Sequence, residues 1–239
     1  MVSGAAGGIG QACAAAFLAE GASVAMLDRD RKRLDQVAST LSGQGKIAVV
    51  DLDITNEAAV VEGVSRVARE LGGLDGVVNS AGIDQVEDFA ETDWAIWERI
   101  MAVNLTGALR ICRAALEPMK ANGKGAIVNI ASAAGLRPLN GRVAYCASKA
   151  GLIMATKVLA LDLAKYGIRA NTVCPGATDT ELFRQYLGDM TMADVNARYA
   201  LNRIGTTAEI AATIVFLLSD EAGFITGSAL AVDGGRVFH

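Results

Sequence analysis

The sequence predicts an α/β fold, a doubly wound parallel sheet with helices on both faces, and three observations carry that prediction. Apolar runs of five to seven residues alternate with longer helical patterns through short connections. That alternation builds a parallel sheet through crossover helices. A glycine-rich stretch, Ser3-Gly4-Ala5-Ala6-Gly7-Gly8-Ile9-Gly10, opens directly into an alanine-rich helical pattern. The next apolar run, Ser23 to Leu27, ends in Asp28, 18 residues after Gly10.

Taken in order, the strand candidates are 22–28, 46–51, 74–79, 125–131, 168–174 and 228–232. Helical patterns lie near 9–20, 30–42, 56–71, 93–121, 144–166 and 207–218. The 144–166 pattern carries Ala150, Leu152, Ile153, Ala155, Val158 and Leu159. Residues 177–206 contain no clear strand. They follow Pro175-Gly176 and hold Leu182, Phe183, Tyr186, Leu187, Met190 and Met192. Such a segment suits either a mobile cover over a bound ligand or a surface helical pair that packs rigidly or meets a partner subunit.

A chain of 239 residues is within the range of one α/β domain and can bury a substantial core. No linker, repeat or low-complexity segment divides it, so 1–239 reads as a single domain. No stretch approaches the roughly 18 uninterrupted apolar residues of a membrane span. No basic region precedes an apolar segment at the N-terminus. The expected location is therefore cytoplasmic, with no membrane partner. A net charge of −4 and scattered basic residues argue against nucleic acid. Cys13, Cys112, Cys146 and Cys174 lack metal-like spacing and read as reduced, partly buried thiols. The one histidine, His239, is the last residue. That argues against histidine triads and histidine metal sites, and no metal is expected.

Two stretches carry chemistry. Tyr145 and Lys149 are one helical turn apart on the same face of the 144–166 pattern. A lysine ammonium beside a phenol favours the phenolate and lowers its pKa by roughly 1–3 units, from about 10. That moves a tyrosine towards proton exchange at neutral pH. The glycines of residues 3–10 let the backbone approach a pyrophosphate, whose charge sits at the helix N-terminus. Asp28 stands where a carboxylate binds the ribose hydroxyls of a dinucleotide.

On these residues the chain resembles the short-chain dehydrogenases/reductases, essentially over its whole length. The family loop Thr-Gly-x-x-x-Gly-x-Gly is matched by Ser3, Gly4, Gly8 and Gly10, and an Asp with a following apolar residue by Asp53-Ile54. Asn79-Ser80-Ala81-Gly82, Asn104 in Val103–Gly107, Ser132, Pro175-Gly176 with Thr180, and the tail from Ile225 to Gly235 complete the pattern. The resemblance implies a Rossmann-like sheet of order 3-2-1-4-5-6-7. It also implies a substrate lid at about 177–206 and a homo-oligomer, a tetramer or dimer. One departure stands at the start. Only Met1-Val2 precede the glycine loop where the family has a full apolar strand, so the first strand, central in the sheet, is expected to be largely absent.

The resemblance also assigns roles. Tyr145 is implied as general acid/base, with Lys149 lowering its pKa and binding the nicotinamide ribose. Ser132 is implied to bond the substrate oxygen, and Asn104 to anchor a water linking Lys149 to solvent. Cofactor contacts are expected from Ser3, Gly4, Gly8, Ile9, Gly10, Asp28, Asp53, Ile54, Asn79, Ala81, Gly82, Ile130, Tyr145, Lys149, Pro175, Gly176, Thr178 and Thr180. Asp28 favours NAD, because a carboxylate repels the 2′-phosphate of NADP; Arg29 beside it argues the other way. Positions expected to face substrate are Asp84, Gln85, Ala133, Ala134, Leu136, Asn140, Arg142 and Ala177. Several are polar, which favours a small polar secondary alcohol or ketone (a sugar, polyol or hydroxy acid) over a steroid-like ligand. Two alternatives stay open: an NADPH-dependent reductase of the 3-oxoacyl carrier-protein type, and an inactive dinucleotide-binding protein on the same fold.

Overall fold

The structure, a computed structural model, describes residues 1–238; the expectations about His239 lie outside the described residues. Seven strands form one sheet: β1 (Val2–Ser3), β2 (Val24–Asp28), β3 (Ile47–Asp51), β4 (Gly76–Asn79), β5 (Gly125–Ile130), β6 (Ile168–Pro175) and β7 (Ala229–Val232). All are parallel, in the order β3-β2-β1-β4-β5-β6-β7. The helices are α1 (Gly8–Ala19), α2 (Arg31–Thr40), α3 (Glu57–Leu71), α4 (Trp94–Met101), α5 (Ala108–Ala121), α6 (Val143–Leu163), α7 (Glu181–Gln185), α8 (Met192–Asn196) and α9 (Thr207–Leu218).

Helices cover both faces because successive strand residues point to opposite sides. Val24 and Met26 of β2, with Val78 and Val128, pack under Cys13 and Leu18 of α1, Leu34 of α2 and Ile214 of α9. Ala25 and Leu27, with Val77 and Ile127, face Val60 and Val64 of α3, Ile111 of α5 and Leu163 of α6. Helix ends are set locally. Asn56 caps the Ala59 N–H at the start of α3, and Gly72, at φ 82°, closes it. Thr206 and Glu209 form a capping box on α9.

Three expectations change in detail. The 93–121 helical pattern is broken between α4 and α5 by a π-helical turn, Ala102–Gly107, with Asn104 fully buried inside it. The 177–206 stretch holds two five-residue helices, α7 and α8. β1 is short, as its lead predicted, yet Val2 and Ser3 pair on both sides, with Met26 and Leu27 and with Val78 and Asn79. β2 and β4 open only two rows earlier, at Val24 and Gly76 (26 to 24, 78 to 76). Met1 already fills one of those rows, its carbonyl accepting from the Val78 N–H at 2.9 Å. β1 is therefore two residues long beside neighbours of five and four, with Met1 continuing its pairing by one further bond.

One row of the sheet is polar. Ser3, Asn79 and Asn129 stand side by side on β1, β4 and β5, and all three are buried. The Ser3 hydroxyl donates to Asn79 Oδ1 (3.1 Å), and Asn79 Nδ2 donates to Asn129 Oδ1 (2.8 Å). Asn129 Nδ2 donates to Thr156 Oγ1 on α6 (2.8 Å). A buried amide left without a partner costs roughly 1–3 kcal/mol. Asn129→Ala removes the middle of this chain and is expected to lower stability by about 2–3 kcal/mol. Urea unfolding at fixed protein concentration checks it, and a loss below about 0.5 kcal/mol would show that the row does not tie the sheet to α6.

Candidate active site

Two adjoining pockets open at the carboxyl ends of the strands, where the strand order reverses between β1 and β4. Open α/β sheets bind ligands at this position. The two share Ile9, Ser80, Gly82, Thr180 and Leu182 in their walls, so they form one continuous groove.

The first pocket is built by the glycine loop. Gly4 has φ 69°, and a Cβ there would lie 2.5 Å from the Ala81 nitrogen. A Cβ on Gly10 would lie 2.2 Å from the Gly4 oxygen. Helix α1 begins at Gly8 with no side-chain cap, leaving its first N–H groups free for an anion. Asp28 stands on the rim and accepts from the Ala6 and Asp30 N–H groups, each at 3.1 Å. Asp53 and Ile54 form the far wall. The Thr55 N–H and hydroxyl, both at 2.8 Å, hold the Asp53 carboxyl below its usual range. An uncapped helix start, a rim carboxylate and a floor without side chains fit a dinucleotide.

The second pocket contains Ser132, Tyr145 and Lys149. Ser132 lies two residues past the end of β5 and caps the turn Ala133–Gly135; its Oγ accepts from the Ala134 N–H at 3.1 Å, and its hydroxyl acts on Tyr145 in favour of the phenolate. Lys149 is buried and donates to the Ile130 carbonyl at 2.9 Å, its Nζ 5.6 Å from the centre of the Tyr145 ring. The expected lowering of the tyrosine pKa is not found here. Burial pushes Tyr145 up to about 12, the Asp84 carboxylate adds to the rise, and the Ser132 hydroxyl opposes it. Desolvation of the phenol outweighs a lysine held on a backbone carbonyl. Burial also pushes Lys149 down to about 8.

Several expected contacts lie elsewhere. Ser3 and Asn79 are turned into the polar row and line neither pocket. Gly10 also stays off the walls; its lack of a side chain lets α1 close on Gly4. Asn104 sits behind the wall, exchanging bonds with Ile83 (N–H to Oδ1, 2.8 Å; Nδ2 to carbonyl, 2.9 Å) and donating to Ser148 (3.1 Å). Asp84, Ala133, Ala134, Arg142 and Ala177 do line the second pocket, whereas Gln85, Leu136 and Asn140 do not. Ile130, Pro175, Gly176, Thr178 and Thr180 line it as expected. Asp84 is buried and ion-paired with Arg142, and Tyr186 donates its hydroxyl to the Asp84 carbonyl. Sequence reasoning missed Arg137, Leu139, Arg198, Tyr199 and Arg236, which come from loops and the tail with no local motif to flag them.

The buried lysine has a measurable cost. A shift from 10.5 to about 8 corresponds to roughly 3 kcal/mol against the charged form, and losing the Ile130 bond takes back about 1–2 kcal/mol. Lys149→Met is therefore expected to stabilise the fold at pH 7 by about 1–2 kcal/mol. Between pH 8 and 10.5 the unfolded chain holds more protons at Lys149 than the folded one. Wild-type stability must rise across that window relative to the variant. Paired urea melts at pH 7 and pH 10 check both signs; an advantage that does not shrink with pH refutes the linkage.

The comparisons agree with this geometry. Residues 4–236 match the family described as enoyl-(acyl carrier protein) reductase. The chain is 42% identical to 2-(S)-hydroxypropyl-CoM dehydrogenase 3 of Xanthobacter autotrophicus, over 98% of this chain and 94% of that protein. It is 36% identical to meso-2,3-butanediol dehydrogenase of Serratia marcescens, over 98% and 92%. A short-chain type dehydrogenase/reductase from Mycobacterium ulcerans has the same fold, with a TM-score of 0.95 and 30% identity over 100% of this chain and 89% of that one. With the seven-stranded order, the glycine-floored groove and these relatives in agreement, the chain belongs to the short-chain dehydrogenase/reductase family of oxidoreductases.

Proposed function

We propose that this protein oxidises a small polar secondary alcohol to its ketone, reversibly, with NAD. Members of the family bind NAD(P). The observation that carries the reading is that Ser132, Tyr145 and Lys149 stand together in the wall of a pocket continuous with the glycine-floored groove. Both relatives above are named for secondary alcohols, which supports the substrate class.

Bound nicotinamide supplies the hydride acceptor. The chain's own residues handle the proton. The substrate hydroxyl sits within reach of both hydroxyls; Tyr145 takes its proton, and Ser132 donates to the oxygen as negative charge develops. Lys149 places a cation beside the phenol, its Nζ 5.6 Å from the ring centre, and would hold the ribose of the nicotinamide half. A Cβ on Gly82 would lie 3.3 Å from Lys149 Nζ and 3.5 Å from Asn104 Oδ1, so Asn104 borders the lysine and fixes the loop that carries Gly82. The 177–206 segment serves as the substrate lid: Leu182, Phe183, Tyr186, Met190 and Val195 line the pocket from that side. The exposed apolar side chains Met154, Val158 and Leu161 on α6 support a dimer or tetramer.

Three measurements test this. Tyr145→Phe removes one hydroxyl and is expected to lower turnover by about 10²–10⁴-fold with cofactor binding retained; activity within twofold of wild type would remove Tyr145 from the reaction. Because the phenol is held high, at about 12, the fraction able to accept a proton grows with pH. Oxidation is therefore expected to speed up from pH 7 to 10, while ketone reduction, which uses the protonated phenol, stays nearly constant over that window. Asp28→Ser removes the carboxylate from the groove rim, so NADP use should gain at least about tenfold relative to NAD. A wild-type protein that already uses both equally contradicts the role of Asp28.

A further inference from the structure

The pocket beside Tyr145 is far more positive than the chain around it. Its walls hold Arg137, Arg142, Lys149, Arg198 and Arg236 against one carboxylate, Asp84, in a chain of net charge −4. Arg142 is neutralised by Asp84, and Lys149 is bonded to the Ile130 carbonyl. Arg198 and Arg236 differ. Neither makes an ion pair among the described residues. The carboxylate that acts on Arg198 electrostatically, Asp194, is turned to the Thr191 hydroxyl and N–H, at 2.6 and 3.0 Å.

The two arginines come from distant segments that backbone contacts fasten together. The Leu201 N–H donates to the Gly234 carbonyl at 3.1 Å. A Cβ on Gly235 would lie 2.6 Å from the Ala200 Cβ, so only glycine lets the tail close there. Arg137 Nη1 donates to the Arg236 carbonyl at 2.9 Å, tying in the loop after β5. The Ala177 N–H donates to the Tyr199 hydroxyl at 2.9 Å, fixing the residue next to Arg198. Two guanidinium groups without a carboxylate partner among the described residues, Arg198 exposed and Arg236 half-buried on a braced wall of the pocket, offer paired donors and positive charge to a planar or tetrahedral oxyanion.

We infer that Arg198 and Arg236 form an anion site within the substrate pocket, and that the natural substrate is a small secondary alcohol bearing a carboxylate, sulfonate or phosphate. The inference rests on the alcohol-oxidising reading above and narrows its substrate class. The pocket volume, about 240 Å³, suits a short-chain acid better than a lipid or a polycyclic alcohol.

The test compares matched alcohols with NAD and with NADP: 3-hydroxybutyrate, 4-hydroxypentanoate and 2-hydroxypropane-1-sulfonate against 2-butanol, 2-pentanol and 1-methoxy-2-propanol. At least one charged member is expected to exceed its neutral match at least about tenfold in kcat/KM. In the double variant Arg198→Gln/Arg236→Gln that ratio should collapse towards one. Parity in the wild type, or a preference that survives in the variant, overturns the proposal. Should the variant not fold, the wild type decides: raising salt from 20 to 500 mM should raise KM several-fold for the charged alcohol and not for the neutral one, and equal responses overturn the site. A binding arm needs no turnover. Excess 1-propanesulfonate should raise the wild-type melting temperature by about 2 °C where 1-propanol does not, and no shift in the wild type counts against the site. If no alcohol reacts at all, the proposed reaction fails, and the sulfonate shift still decides the anion site.

Discussion

Everything in the site depends on a backbone approach that excludes side chains. The loops after β1 and β4 meet where Gly4 faces Ala81, and α1 closes on the same point through Gly10. Both contacts are too short for a Cβ. The result is a groove whose floor is peptide and whose end is an uncapped helix N-terminus. Because β1 is hydrogen-bonded to β2 and β4, the groove is fixed to the centre of the sheet even though only two residues form that strand. The position where the sheet reverses thus becomes the place where a phosphate-bearing ligand can be held.

The polar row below this point solves a related problem. Residues close to the site must be held in a defined register, and an apolar sheet allows neighbouring layers to slide and repack. Ser3, Asn79 and Asn129 convert one row into a chain of directional bonds that ends on Thr156 of α6, the helix that carries Tyr145 and Lys149. The π-helical turn does the same on the other side, where Asn104 binds Ile83 and Ser148. α6 is long and apolar enough by composition to cross a membrane, but its buried side is packed on the sheet and carries these polar groups.

Electrostatics divide the groove. At the groove end, a carboxylate stands on the rim beside the free N–H groups of an uncapped helix start, a pairing that suits a sugar and its phosphates. At the catalytic end, burial works against ionisation of both partners, raising Tyr145 and lowering Lys149. Such opposed shifts keep the phenol protonated and the lysine near its titration point until a ligand changes the field. The ion pair of Asp84 and Arg142 lines the same pocket, its carboxylate acting on both Tyr145 and Lys149, and Tyr186 joins it through the Asp84 carbonyl.

By itself the sequence determined the sheet, the glycine loop and the Tyr145–Lys149 turn, because each is written in spacings within a few residues. Apolar runs set the strands, helical spacing put Tyr145 and Lys149 on one face, and Gly4, Gly8 and Gly10 had no other use. Tertiary structure decided the rest, because those properties arise between residues far apart in the chain. Ser3 and Asn79 face the core through a bond spanning 76 positions. The Tyr145 pKa rises because the fold buries it near Asp84. The long helix of 93–121 breaks where Asn104 turns inward to meet Ile83. The arginine wall forms only when a loop and the tail, 99 positions apart at Arg137 and Arg236, are brought together. No local pattern encodes such meetings, since burial and charge at a site are sums over everything the fold places around it.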